Sequence, residues 1–173
     1  MAPLLRRSWA LRGQRPRQGQ KVGHREKVSV AAALWLPPWR QRLHLAYQTL
    51  VNGYFTNVEV AEFVGLALEL PYPVIALWDG GTMHKGGPIR ALREESRGRL
   101  DIEPLPPHAP ELMPVEPLWD WLKYGQLCNF APRDAQQLNK AVVRELDAIR
   151  ENQEVLESFF HLSDLPLPRA LLT

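Results

Sequence analysis

Five apolar residues in a row, Val74-Ile75-Ala76-Leu77-Trp78, stand between Pro73 and Asp79-Gly80-Gly81. A run of that length between breakers predicts a central strand buried on both faces, in a sheet with helices on either side. Sheets of that kind hold ligands beyond the carboxyl ends of their strands. Asp79 stands at such an end, and the two glycines after it leave a cleft uncrowded. Asp-Gly is also a common turn pair, so chain reversal is the second reading of Asp79.

The elements around this run fill out an α/β domain. Val28 to Trp35 reads as a strand ended by Pro37-Pro38, and Leu43 to Tyr47 as its return. Thr56 with Glu59 three residues on is a capping box, opening a helix with Val60, Phe63, Val64, Ala67 and Leu70 near one face. Pro71 and Pro73 stop it. Pro88 to Arg97 reads as a short helix, Leu100 to Leu105 as a strand and Pro106 to Pro110 as a rigid loop. A helix from Pro114 buries Val115, Leu118, Trp119 and Leu122. Asp134 caps one last long helix whose stripe is Leu138, Val142, Leu146, Ile149, Leu156 and Phe160. Glu116 lies in a first helical turn, where the helix dipole favours an acid whether or not it has a chemical role.

Length and charge narrow the class. At 173 residues the chain fits one domain with a real core. A single cysteine, Cys128, excludes a disulfide framework and a cysteine metal cage, and reads as a small buried apolar residue. No apolar run approaches the roughly 20 residues of a membrane helix, and no secretory h-region opens the chain, so the reading is cytoplasmic. Residues 1–45 carry ten Lys and Arg against one acid, Glu26, whereas 46–173 carry eleven against eighteen acids. A basic arm (1–27) on an acidic body (28–173) suits a polyanion partner. Arg6, Arg7, Arg12, Arg15, Arg17, Lys21, Arg25 and Lys27 are its candidate phosphate contacts. A merely solvated terminus is the alternative.

The segment LWDGGTMHKG, followed by LPPHAPELMPVEPLWDWLK, resembles the DDE transposases of bacterial insertion sequences related to mariner elements. That family shows an Asp-Asn pair at a strand end, a His a few residues on, then Leu-Pro-Pro-Tyr-x-Pro-Glu-Leu-Asn-Pro-x-Glu, a Trp and a Lys. Asp79, His84, Leu105-Pro106-Pro107, Pro110-Glu111-Leu112, Pro114-Val115-Glu116, Trp119 and Lys123 match in order. Asn129 resembles the asparagine that follows the helix. Ser8 to Pro16 resembles the family's Trp-Ala-x-x-Gly-Gln-x-Pro segment, and Lys27 to Leu34 its second strand.

The resemblance implies a ribonuclease-H-like mixed sheet flanked by helices. It implies three carboxylates holding two Mg²⁺ (or Mn²⁺) ions about 3.5–4 Å apart, which activate the attacking oxygen and stabilise the leaving one. Asp79 would be the second carboxylate and Glu116 the third, with 36 residues between them. His84 and Lys123 would be accessory groups, His84 toward a carboxylate and Lys123 toward a phosphate. The partners implied are DNA (transposon ends and target), a second copy in a homodimer, no membrane, and a nucleoid location. Trp119 reads as core, and Glu111 and Asp120 as surface charges.

Departures from the family pattern sharpen the expectation. The first aspartate belongs on a strand upstream of Trp9, and no acid lies between Met1 and Ser8. The first strand and the end-recognising helix-turn-helix are therefore expected to be absent. Gly80 and Met113 stand where the family has asparagines. Three origins fit: the downstream half of a two-frame transposase, a misplaced start, or a decayed remnant. The expected activity is Mg²⁺-dependent DNA cleavage and strand transfer, not shown by this chain alone. Its rivals are a DNA-binding or regulatory fragment and a two-acid, one-metal nuclease.

Overall fold

The structure, a computed structural model, describes residues 11–14, 26–39 and 42–165. Val28–Trp35 (β1) pairs antiparallel with His44–Val51 (β2), which runs longer than the sequence pattern indicates. Ser29 and Lys27 close the far end of this pair: Ser29 Oγ donates to the Gly53 carbonyl at 2.7 Å, and the Lys27 amide donates to Asn52 Oδ1 at 3.0 Å.

Val74–Trp78 (β3) and Leu100–Pro104 (β4) pair in parallel. Asn57–Gly65 (α1) precedes β3, and Gly87–Glu95 (α2), between β3 and β4, makes the crossover. Thr56 caps α1 through the expected box, its own amide donating to Glu59 Oε2 at 2.8 Å. The helix ends at Gly65, and Leu66–Glu69 tightens into a 3₁₀ turn, so Ala67 and Leu70 lie beyond it.

Val115–Asp120 (α3) follows the proline-rich loop and widens into a π-turn over Trp121–Gln126. The expected last helix is two. Ala135–Arg150 (α4) is capped by Asp134, which accepts from the Gln137 amide at 2.7 Å. Gln153–His161 (α5) is capped by Asn152. Asn152 competes for backbone donors and restarts the helix, which breaks a stripe the periodicity presents as continuous.

Alternation explains how β1–β2 packs. Val28, Val30, Ala32 and Leu34 of β1, with Leu45 and Tyr47 of β2, face a core completed by α3, α4 and α5. Leu118, Leu146, Ile149, Leu156 and Phe159 are almost wholly buried there. A second, smaller core of Val60, Trp78 and Ile89 seats α1 and α2 on β3–β4. The two clusters share no residue.

Among the described residues the sheet is two separate pairs, β1–β2 and β3–β4. The strand expected to be buried on both faces is covered on one only. Trp78 faces the small core, while Ile75 is 69% and Leu77 50% exposed. A continuous apolar run therefore does not by itself show that both faces are covered, and the described residues leave one of them open.

Candidate functional site

Asp79 follows β3 directly, at the carboxyl end of the parallel pair. The Leu105 amide donates to the Trp78 carbonyl at 2.8 Å, extending the pairing to the residue before Asp79. Gly81 then turns the chain into one 3₁₀ turn, Thr82–His84. The turn brings one hydrogen-bond donor and one imidazole nitrogen close to the same oxygen. The Gly81 amide donates to Asp79 Oδ1 at 2.8 Å, and His84 Nε2 lies 3.2 Å from the same atom.

His84 is held by its ring. It stacks on Trp78 with centroids 4.7 Å apart and planes 21° from parallel. Its side chain is only 19% exposed, against 60% for Asp79. Burial lowers the His84 pKa below its usual value, against the opposing pull of the Asp79 charge. His84 Nδ1 is buried without a hydrogen-bond partner among the described residues. The strand end named Asp79 and the family resemblance named His84; the stacking of His84 on Trp78 had no signal beyond a tryptophan beside the aspartate.

The other candidates fall in different places. Glu116 is exposed in the first turn of α3, its amide bonded to the Met113 carbonyl at 3.0 Å. Lys123 lies half-buried in the π-turn and Lys85 is exposed. Trp119 packs against the large core, as expected of a helical aromatic. Glu111 and Asp120 are exposed, whereas Cys128 is only partly buried, not fully as expected. His108 adopts a positive φ of 60° in the proline-rich loop. Lys27 sets its ammonium over the Tyr54 ring, which engages that charge within the protein. Arg12 sits in a short exposed turn. Arg6, Arg7, Arg15, Arg17, Lys21 and Arg25 lie outside the described residues, as does Trp9.

Carboxylate oxygens are the hard donors that Mg²⁺ prefers. No group of three His, Cys, Asp or Glu side chains able to hold a metal ion occurs among the described residues. Asp79 and Glu116 are therefore suited to such a cation in chemistry but do not make up a centre with the described residues alone. None of the described helices is long and apolar enough to cross a membrane.

Comparison with solved structures defines the class. The Mos1 strand transfer complex superposes with a TM-score of 0.59 at 19% identity, covering 92% of this chain and 46% of that one. The Mos1 transposase paired-end complex with left transposon end gives 0.58 at 16%, covering 92% and 47%. At these identities the likeness is one of fold, and the fold is ribonuclease-H-like. The chain spans less than half the length of either structure. The family model for the DDE superfamily endonuclease matches residues 2–139, and the chain belongs to that family. No curated protein matches it.

Proposed function

We propose that this chain is the downstream part of a transposase catalytic domain that cleaves DNA and joins the cut ends to a target. Asp79 and Glu116 are two carboxylates of its Mg²⁺ or Mn²⁺ centre, and His84 and Lys123 are accessory to them. Residues 28–173 form the catalytic portion and residues 1–27 a DNA-contacting arm. Its DNA partners are transposon ends and target, met at the nucleoid by a homodimer. The Mos1 complexes, one of them with a transposon end, support a DNA partner.

The observation that carries this reading is Asp79 at the end of β3, its Oδ1 bonded to the Gly81 amide and 3.2 Å from His84 Nε2, on a strand that the described residues leave with one apolar face uncovered. The remaining carboxylate comes from the upstream part of the same transposase, as an apolar strand joining the open sheet. The chain alone is then inactive. In a plasmid-nicking assay with Mn²⁺, the purified chain is expected to be silent. Adding the upstream polypeptide restores nicking, and Asp79→Asn abolishes it. Nicking that survives Asp79→Asn sinks the reading. Nicking by the chain alone that Asp79→Asn removes supports instead a self-sufficient nuclease.

The excess of ten Lys and Arg over one acid in residues 1–45 favours a second reading, a non-enzymatic DNA-binding or regulatory fragment. Neutralising Arg6, Arg7, Arg12, Arg15, Arg17, Lys21 and Arg25 together should then release the chain from DNA, and steeply so with rising salt. Unchanged retention removes it.

A further inference from the structure

We propose that the β1–β2 turn and the segment entering β3 form a contact site for an unpaired DNA strand, with Trp39 and Tyr72 stacking on a base and Arg42 and Arg99 facing its phosphates. The inference rests on the reading of DNA as the partner, but it concerns residues remote from Asp79. Seven residues separate Tyr72 from Asp79, roughly 20 Å at about 3.3 Å per extended residue.

Two proline-stiffened segments meet at this site. Trp39 follows Pro37-Pro38, and Tyr72 lies between Pro71 and Pro73. Proline fixes its own φ and restricts the residue before it, so both rings are presented with little backbone freedom left to lose. The turn is also anchored on each side of Trp39. Pro37 and Leu43 are fully buried, and the Leu43 amide and carbonyl both bond the Gln153 side chain, at 2.9 and 2.7 Å. Trp39 and Tyr72 meet edge to face, with centroids 5.7 Å apart and planes at 87°. Such a contact uses one ring face of the four, and Trp39 stays 57% exposed.

Cations stand on both sides of the pair. Arg42 is exposed beside His44, whose pKa is lowered by burial and then by the Arg42 charge. Arg99 is exposed and donates to the Leu70 carbonyl, while its own carbonyl accepts from the Val74 amide at 2.7 Å. These two bonds set Arg99 along the segment that carries Tyr72. A carbonyl partner leaves the guanidinium charge unneutralised. No acid stands between Lys27 and Val58 in the sequence. Open aromatic faces flanked by cations suit an unpaired strand, because bases inside a duplex already cover one another's faces.

The test is fluorescence anisotropy on the full chain without divalent metal. The probes are a labelled oligothymidylate and a labelled duplex of equal length. Trp39→Ala should weaken single-strand binding roughly tenfold and duplex binding less than about twofold, since a stacked base is worth about that much. Trp39→Phe should keep most of the affinity. Arg42→Gln should reduce the salt slope of single-strand binding by about 0.7. The basic arm meets both probes, so the comparison between them isolates the rings. The substitutions lie on exposed side chains, and circular dichroism of each variant should match the parent. Single-strand binding that ignores Trp39→Ala overturns the proposal, and so does an equal loss on both probes. Asp79→Asn, which tests cleavage through nicking, should leave this binding unchanged, so either reading can fail without the other.

Discussion

His44 lies flat on Trp35, with ring centroids 4.3 Å apart, and its neutral form is the one the fold prefers. Burial lowers its pKa from the ordinary 6.5, and the Arg42 charge lowers it further. The unfolded chain therefore binds the proton more readily than the folded one. Stability is complete above about pH 6.5 and is lost as the pH falls through the lowered value. Urea midpoints at about pH 7 and about pH 5 should differ less in His44→Phe than in the parent. His84, also lowered, keeps part of the acid sensitivity in that variant. Tyr47 works at the other limit. Its hydroxyl donates to Asp147 Oδ1 at 2.6 Å, and burial first, then this bond and the Asp147 charge, push its pKa up to about 12. Its contribution is present below pH 10 and is lost as the pH rises toward that value. Phenolate absorbance should show one tyrosine titrating late, and Tyr47→Phe should remove it. The same substitution should cost about 1 kcal/mol, the usual net worth of such a bond.

At the scale of elements, caps and core stripes carry most of the local stability. Asp134→Ala should cost about 1 kcal/mol by leaving the Gln137 amide uncapped. Leu146→Ala, at a fully buried position of α4, should cost roughly 2–5 kcal/mol. Chemical denaturation of each variant checks both values. These elements were legible because their signals are local. Thr56 with Glu59, Asp134 with Gln137, and the strand from Val28 to Trp35 all declare themselves within a few residues. The break at Asn152 was less legible because the apolar stripe continues across it. The exposure of Ile75 and Leu77 could not be read at all, since it depends on which strand lies alongside rather than on the run itself. Asp79 stood out at a strand end and Glu116 in a first helical turn, and the family resemblance singled both out and added His84. The stacking of His84 on Trp78 is a product of the 3₁₀ turn, and no pattern announces it.

At the scale of the whole molecule, the proposed docking of an upstream strand on the open apolar flank of β3 makes a prediction that separates folding from activity. Ile75→Ser with Leu77→Ser should leave the isolated chain within about 0.5 kcal/mol of its parent, since both residues are already exposed. The same pair should abolish rescue of nicking by the upstream polypeptide. A large loss of stability in the isolated chain would show that this face is already covered. The division of the apolar interior into two clusters has a different consequence. Each cluster can open without disrupting a side chain of the other, so the molecule need not unfold all at once. The helices around Leu146 and Phe159 should keep their amide protons longest in deuterated water. The β3 amides, backed by three buried side chains, should exchange early. Asp79 thus rides on the more labile half, and whatever strand docks beside it would act as a clamp that makes a loosely cooperative molecule melt as one.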